Sequence, residues 1–209
     1  PVDLLGADNA PAGLAVSALL FTPNPGIDFG DAPDPDYPTR AVNAGASHII
    51  AGPWLGDARG KPDPESDGQP DALAQGDDFA GNSDEKGVVI PALVPGLPAV
   101  LTFEVGGGGG EVRGWIDFNA DKTWDASELA VSASYPDGLH SETITVPASA
   151  VPGSTFARFR IGTQPPPGPA GPAEDGEVED QVVLIAETQG ELDYGDAPDV
   201  PGAGGYPTL

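Results

Sequence analysis

The chain has 209 residues and a formal net charge of −25 at pH 7, from 33 acidic residues against 8 lysines and arginines. This charge repels nucleic-acid phosphates and anionic lipids, so we expect no nucleic-acid partner. The absence of cysteine excludes disulfides and thiolate metal sites, and no apolar stretch is long enough to span a bilayer. Glycine and proline form just over a quarter of the chain, but the apolar residues cluster in short runs between turn formers. That distribution favours a folded core with long loops over disorder.

The chain contains an internal repeat. The sequence "IDFGDAPDPDYPT" at residues 27–39 returns as "LDYGDAPDVPGAGGYPT" at residues 192–208, with Asp28 aligned to Asp193. Such self-similarity indicates tandem architecture. The apolar run "GLAVSALLF" at residues 13–21 is then either the last strand of a preceding repeat or an N-terminal extension that serves as a donor strand. We therefore divide the chain into an N-terminal strand segment, one sandwich repeat, and the start of a next repeat or linker: residues 1–26, 27–190 and 191–209.

Residues 40–87 show little periodicity and many acids, and we predict a long, loop-rich insertion packed on the sheet. Inside it, "DPESDG" places Asp63, Glu65 and Asp67 in alternation, and Asp71 stands at the ninth position of the same count. This spacing matches the first part of a calcium loop. Four more acids follow, and they would complete a site if this part of the loop folded back: Asp77, Asp78, Asp84 and Glu85. A solvated acidic loop is the equally weighted alternative.

Strand patterns dominate the rest of the chain. Residues 98–105 and 111–118 are joined by five glycines, which predicts a hairpin. Three further strands are predicted at residues 141–147, 155–161 and 177–187. In the strand at 155–161, the apolar residues alternate with Arg158 and Arg160, the pattern of a half-buried strand. The fold class is therefore all-β, a jelly-roll-like or Ig-like β-sandwich with long acidic, loop-rich insertions.

The segment "DFNADKTWDASE" at residues 117–128 has the ligand spacing of a twelve-residue calcium loop. Oxygen-bearing side chains occupy positions 1, 3, 5, 7, 9 and 12: Asp117, Asn119, Asp121, Thr123, Asp125 and Glu128. Hard oxygen ligands in this number favour Ca²⁺ over Mg²⁺. Lys122 stands at position 6, where such loops usually carry glycine. The alternative is an exposed acidic connection between strands.

No pattern predicts catalysis. His48 and His140 are far apart, and no carboxylate pair has the apolar setting that would raise one pKa. In "EDGEVED" we expect Glu177 and Glu179 to form cross-strand ion pairs with arginines of the neighbouring strands. The candidate arginines are Arg113, Arg158 and Arg160. Metal ligation is the alternative for the other acids of this run: Glu174, Asp175 and Asp180.

Several of these segments together resemble the GEVED domain family. They are "GWIDFNADKTWDASE", "FARFRIGTQ", the literal "GEVED" at residues 176–180, and the two copies of the "GDAPD" motif. Members of that family are modules of large secreted or surface-attached bacterial proteins, often in several copies. The resemblance implies a β-sandwich module of extracellular adhesive or fibrous proteins and supplies no enzymatic activity.

We therefore expect a non-catalytic, calcium-stabilised structural or adhesive module at the bacterial cell surface or in a filament. Its expected partners are neighbouring copies of the same repeat, joined by strand addition at a sheet edge. The alternative is a carbohydrate-binding module, in which a glycan would stack on Trp54, Trp115 or Trp124 beside the acidic loops. Packing in the core or in loops is the preferred role of these tryptophans.

Overall fold

The computed structural model describes residues 26–57, 60–76 and 87–187. In that part of the chain the strands are β1 (Ile27–Phe29), β2 (Ser47–Ile49), β3 (Trp54–Leu55), β4 (Val88–Val89), β5 (Pro98–Gly106), β6 (Gly110–Ile116), β7 (Leu129–Tyr135), β8 (Gly138–Thr145), β9 (Gly153–Gly162), β10 (Pro172–Ala173) and β11 (Glu177–Ile185). Two short 3-10 turns occupy Ala41–Asn43 and Ala126–Glu128. No helix within these ranges is long and apolar enough to cross a membrane.

Two antiparallel sheets form the body of the domain. The first has the order β11–β9–β6–β7. In the second, β8 pairs along one edge of β5, and β3 and β4 pair with its other edge. The apolar faces of the two sheets enclose one core, which includes Leu101 and Phe103 from β5 and Phe159 and Ile161 from β9. The predicted all-β sandwich class is confirmed.

The strand pattern of β5 shows why this core forms. Leu101, Phe103 and Val105 are buried, whereas the alternate residues between them face outward. Successive side chains of a strand point to opposite faces, so a period-two apolar pattern places one face on the core. Each such buried apolar side chain contributes roughly 1.5–3 kcal/mol.

The glycine run does not form the predicted hairpin. β5 and β6 begin and end near the predicted positions, but β5 pairs with β3, β4 and β8, and β6 pairs with β7 and β9. The run therefore crosses from one sheet to the other. Gly107, Gly108 and Gly109 have φ values of 82°, 106° and 83°, a conformation that L side chains rarely adopt. The predicted pairing of β5 with β6 is wrong because the two strands belong to different sheets. Their apolar faces meet across the core between the sheets.

A third layer covers the outer face of the first sheet. In it, β2 pairs antiparallel with β1 and parallel with β10. Residues 27–39, the first copy of the repeated motif, belong to this layer, and we call them the docking segment. The described part of the predicted acidic insertion contributes β2 to this layer, whereas its strand β3 pairs with β5 in the second sheet. Residues 13–21 and 192–208 lie outside the described ranges, so the roles and domain boundaries predicted for them stay predictions.

Candidate functional site

A fully buried ion pair lies between the first sheet and the third layer. Arg158 on β9 and Asp180 on β11 are cross-strand neighbours, and both side chains are completely buried. Arg158 Nε donates to Asp180 Oδ1 at 2.7 Å, and Nη2 donates to Oδ2 at 2.6 Å. This two-pronged geometry is the strong form of an arginine–carboxylate contact. β9 was predicted to be half-buried, and that is wrong because the third layer and the loop before β10 cover its arginine face.

The backbone of the docking segment completes the coordination of the ion pair. The N–H groups of Asp31 and Ala32 donate to Asp180 Oδ2 at 3.0 and 2.9 Å. Arg158 Nη1 donates to the carbonyl of Pro38 at 2.6 Å. Removing a charged group from water costs several kcal/mol, about as much as the attraction between the two charges contributes. The additional hydrogen bonds from the backbone are therefore needed to stabilise the buried pair.

Side chains of the docking segment make further contacts with the sheet. Asp28 Oδ2 accepts from the N–H of Val178 at 2.7 Å, next to the ion pair on β11. Thr39 Oγ1 accepts from Arg158 Nη2 at 3.1 Å. Gly30 passes so close to the pair that a Cβ there would collide with the Asp180 carboxylate. The segment is therefore shaped to fit this one place on the sheet.

An aromatic cluster fastens the other end of the docking segment. The Tyr37 ring lies 4.5 Å from Trp124 and 5.0 Å from Phe156, measured between centroids. The guanidinium carbon of Arg158 lies over the Trp124 ring, 4.6 Å from its centroid. Trp115 and Ala32 complete the buried set. The cluster joins the docking segment, the acidic loop and β9.

The second outward arginine of β9 pairs with a histidine. Arg160 Nε donates to His48 Nε2 at 2.9 Å, which leaves Nδ1 of His48 to donate to the carbonyl of Asp175 at 2.6 Å. Burial, followed by the charge of Arg160, lowers the pKa of His48 to about 3, so the ring is neutral at physiological pH. Burial and the charge of Arg158 lower the pKa of Arg160 to about 9. Its remaining N–H groups donate to carbonyls of the third layer and of the loop before β10: Ser47, Gly168, Ala170 and Gly171.

The ion pairs predicted for Glu177 and Glu179 are wrong. Glu177 Oε1 accepts from the N–H of Leu55 at 2.6 Å, and Glu179 Oε1 accepts from the N–H of Gly87 at 2.8 Å. These odd-numbered residues face the second sheet, whereas Asp180 faces the arginines, because side chains alternate along β11.

Arg113 and Asp175, which were named with that run, also have structural partners. Arg113 Nη1 donates to the carbonyl of Pro166 at 2.7 Å. Asp175 accepts from the N–H and the hydroxyl of Thr163 at 2.8 and 2.6 Å.

The predicted calcium loop leaves the end of β6 and is closed by hydrogen bonds. Asp117 is completely buried, and its Oδ2 accepts from the Tyr37 hydroxyl at 2.5 Å and from the N–H of Lys122 at 3.0 Å. Lys122 has φ 70° and Ala120 has φ 55°, so the sharp turn forms at position 6 although no glycine is present. Lys122 Nζ pairs with Asp36 of the docking segment at 2.8 Å on the surface.

The other acids of this loop form local bonds. Asp121 Oδ1 accepts from the N–H and hydroxyl of Thr123 at 3.0 and 2.7 Å, and Asn119 Oδ1 accepts from the N–H of Asp121 at 2.9 Å. Asp125 and Glu128 form a capping box around the second 3-10 turn. Burial raises the pKa of Glu128, and the carboxylates of Asp117 and Asp125 raise it further.

The donor set of this loop has the chemistry that calcium prefers, since every candidate ligand offers an oxygen. The arrangement is not a ligand shell, because the oxygens accept bonds from N–H and O–H groups of the loop and of Tyr37. Among the residues that the structure describes, no group of three or more His, Cys, Asp or Glu side chains is placed to hold a metal ion. A cation in this loop would have to replace some of the present hydrogen bonds.

The second acidic cluster is spread along the third layer. Glu65 Oε2 accepts from the N–H of Phe29, Asp67 Oδ1 from that of Ala41, and Asp71 Oδ1 from that of Leu73, at 2.8, 2.7 and 2.8 Å. Asp63 is half-buried in the same stretch. These side chains support β1 and the turn after the docking segment. Asp77, Asp78, Asp84 and Glu85, the other predicted members, lie outside the described residues.

The tryptophans are packed, in line with the preferred interpretation. Trp115 and Trp124 are buried. Trp54 is half-buried, with Lys61 Nζ 4.2 Å from its ring centroid on one side and Gly106 against the ring. Trp115 and Trp124 therefore present no surface on which a glycan could stack, and the Trp54 ring is only partly exposed, which weakens the carbohydrate-binding alternative.

Sequence reasoning missed the residues that hold the third layer in place. Asp28, Asp31, Tyr37, Thr39 and His48 are buried and bonded to the sheet or the loop, although none was proposed as a site residue. For the first four of these, the signal that could have found them is the repeat itself, because a motif present in two copies marks side chains with specific partners; His48 lies outside the motif.

Fold and site together define a β-sandwich module whose outer layer is fastened by buried charged groups. Residues 111–183 match the family model of the GEVED domain. The match spans β6 to β11 and includes the Arg158–Asp180 pair and the acidic loop. No match was found among curated proteins or among solved structures.

Proposed function

We propose that the chain is a non-catalytic structural module of an extracellular bacterial surface protein or filament. The observation that carries this proposal is the use of its charged groups: Arg158, Arg160, Asp180 and His48 are all buried between layers and bonded to backbone or to one another. General acids, bases and nucleophiles must reach a substrate. Charged groups that are buried in contacts between layers support a structural role instead.

The acidic composition and the absence of cysteine support an extracellular setting, in which charge keeps the chain soluble and staples other than disulfides hold it together. The buried ion pair and the arginine–histidine contact act as such staples. They fix a third layer that has little apolar surface of its own.

The second part of the proposal is that Ca²⁺ binds the loop of residues 117–128 and stabilises the module. Two features support it: the oxygen-only donor set, and the raised pKa of Glu128, which reflects burial and the nearby carboxylates of Asp117 and Asp125. A divalent cation would relieve that repulsion. We expect weak binding, with Kd about 1 mM as in extracellular modules, because Lys122 places a positive charge in the loop.

The experiment is thermal unfolding with chelator, with 10 mM Mg²⁺ and with 10 mM Ca²⁺. Ligand at ten times Kd stabilises the folded state by about 1.4 kcal/mol, which raises the midpoint of a domain of this size by roughly 3–6 °C. We expect this rise with Ca²⁺ only, a loss of the rise in Asp121→Ala, and a larger rise in Lys122→Gly, because glycine accepts φ 70° and removes the charge. Asp137→Ala, on the exposed turn between β7 and β8, is the matched control and should keep the rise.

A midpoint that Ca²⁺ leaves unchanged in both the wild type and Lys122→Gly would refute the calcium part alone. The structural part has a separate test, a screen for hydrolysis of polysaccharides, peptides and esters. Turnover that Asp180→Asn abolishes while the chain stays folded would refute a non-catalytic role.

A further inference from the structure

Among the residues that the structure describes, one long sheet edge has no partner strand, and we propose that it pairs antiparallel with the same edge of a second copy of the chain. The edge belongs to β7, the last strand of the first sheet in the order β11–β9–β6–β7. Within the described ranges, β7 pairs with β6 alone. The N–H and C=O groups on its other side can therefore accept a further strand. The inference rests on the proposed function only in expecting copies of the module close to one another.

The other sheet edges in the described part of the chain are covered, short or charged. At β11, Leu93 bridges to the end of the strand, and Asp28 accepts from the N–H of Val178 near its start. β1, β3, β4 and β10 contain only two or three residues each. β8, the edge of the second sheet beside β7, carries Glu142, which turns inward and accepts from the Tyr135 hydroxyl at 2.7 Å. Covering segments, short strands and inward-pointing charges are the features by which proteins prevent strand addition.

Residues 131–135 of β7 lack such protection, and we call them the open edge. Their sequence, Val-Ser-Ala-Ser-Tyr, contains no charged residue and no proline, although the chain has a net charge of −25. Ser132, Ala133 and Ser134 are exposed, so no other segment covers the strand here. Beyond Val131 a β-bulge shifts the register with β6, which limits the regular edge to these five residues.

The open edge is self-complementary when two copies run antiparallel about Ala133. Ala133 then lies opposite Ala133 of the second copy, and Ser132 lies opposite Ser134. Val131 lies opposite Tyr135. Side chains alternate along the strand, with Val131 and Tyr135 on the core side and the two serines on the outer side. Because directly opposite side chains share one face, apolar groups meet apolar groups and hydroxyls meet hydroxyls.

Charge favours a second copy over a charged partner strand. The open edge offers no acid that a basic strand could pair with, and the negative field of the chain repels an acidic strand. A second copy brings an uncharged strand of equal length. The nearest acids are Glu128 and Asp137, which lie beyond the two ends of the open edge. In the antiparallel register they come level with Gly138 and Leu129 of the second copy, so like charges are not placed opposite each other.

The pairing would join two four-stranded first sheets into one sheet of eight strands. This is the strand addition expected from the sequence, with β7 supplying both strands. Five paired residues form a small interface, and small interfaces are weak and transient. Modules held together in one surface protein or filament reach effective concentrations of about 1 mM, at which such a contact can form.

The first experiment is disulfide cross-linking of the full chain, which has no cysteine of its own. Ala133→Cys places two thiols opposite each other, and a mixture of Ser132→Cys and Ser134→Cys chains does so one residue away. Opposite pairs alternate between wide and narrow spacing along an antiparallel ladder, so one of the two designs has the closer geometry. We expect that design to form covalent dimers at least tenfold faster than Ser141→Cys, an exposed control position on β8. Cross-linking of both designs at the rate of the control would overturn the proposal.

The second experiment is sedimentation equilibrium of the full chain up to about 1 mM. The buffer contains chelator and about 0.5 M NaCl, which screens the repulsion between two acidic molecules. We expect the average mass to rise with concentration towards that of a dimer. In the double variant Ser132→Asp/Ser134→Asp, acids face each other across the pair, and the dissociation constant should increase at least tenfold. Ser141→Asp adds the same charge on β8 and should leave the dissociation constant unchanged.

A mass that stays monomeric, or a double variant that dimerises as well as the wild type, would overturn the proposal. The substituted serines are exposed, so the variants should keep the thermal midpoint of the wild type, which verifies that they are folded. Chelator makes the result independent of calcium. A monomeric chain would leave the non-catalytic structural role and the calcium loop to their own tests.

Discussion

Replacing Asp180 with asparagine tests whether the buried ion pair holds the third layer on the sheet. The carboxylate of Asp180 accepts four hydrogen bonds, two from Arg158 and one each from the N–H groups of Asp31 and Ala32. An asparagine offers one oxygen, so its NH₂ group must face at least one N–H donor. Arg158 would keep its charge in a fully buried site without its paired carboxylate.

Breaking a buried pair in this way costs about 3–5 kcal/mol. Since the amide oxygen keeps part of the hydrogen bonding, we expect the lower end, about 3 kcal/mol, or roughly 6–12 °C in the midpoint of thermal unfolding. Urea titration followed by tryptophan fluorescence is a suitable assay, because Trp115 and Trp124 lie in the cluster beside Arg158.

Asp137→Asn is the matched control for this substitution. Asp137 is exposed and accepts from the N–H groups of Gly108 and Gly109 at 2.8 and 2.9 Å. Its replacement removes the same carboxylate charge, but at a position where water can hydrate the groups left behind. We expect a cost below about 1 kcal/mol there. If Asp180→Asn costs no more than this control, the buried pair does not fasten the layer. A double substitution of Arg158 and Asp180 by leucine should cost less than Asp180→Asn, because it leaves no unpaired charge.

Three further predictions concern the same layers. Burial lowers the pKa of His48 to about 3 in the folded state, so on acidification the histidine is protonated in the unfolded chain before it is protonated in the folded one. The free energy of unfolding should therefore fall between pH 6.5 and pH 3, by up to about 1.4 kcal/mol per pH unit. Urea titrations across this range should show a shallower fall in His48→Gln. Gly30→Ala should destabilise by about 1–3 kcal/mol or more through overpacking against Asp180, whereas Gly168→Ala, with open space around it, should stay within about 0.5 kcal/mol. At Lys122, whose φ is 70°, valine should lower the calorimetric midpoint by a few degrees and glycine should not; equal midpoints would contradict the strain.

Local patterns determined the strands that the sequence predicted well. Alternation of apolar and polar residues located β5, β8, β9 and β11 to within a few residues, because the strand period is a property of the local backbone. The pattern was too weak for β7 and for the two- or three-residue strands of the third layer. Their backbone geometry depends on partners that are distant in the sequence.

In the acidic loop, residues 117–128, the sequence predicts some features and leaves others undetermined. Its spacing predicted converging side-chain oxygens, and the bends at Ala120 and Lys122 do bring Asp117, Asn119 and Asp121 together. Sequence spacing cannot tell whether those oxygens face a cation or N–H groups. That choice depends on Tyr37, which reaches Asp117 from the docking segment.

By itself, the sequence determined the all-β class, the alternation of β9, the repeat and the resemblance to the GEVED domain, since these follow from local periodicity and from motifs. Tertiary structure alone decided which strands pair across the glycine run, and which acid meets Arg158. The reason is that a strand pattern specifies two faces but not what covers them. In the sequence, Arg158 resembles a residue of a solvated face. Residues 27–39, more than a hundred positions away, bury it and make its charge structural.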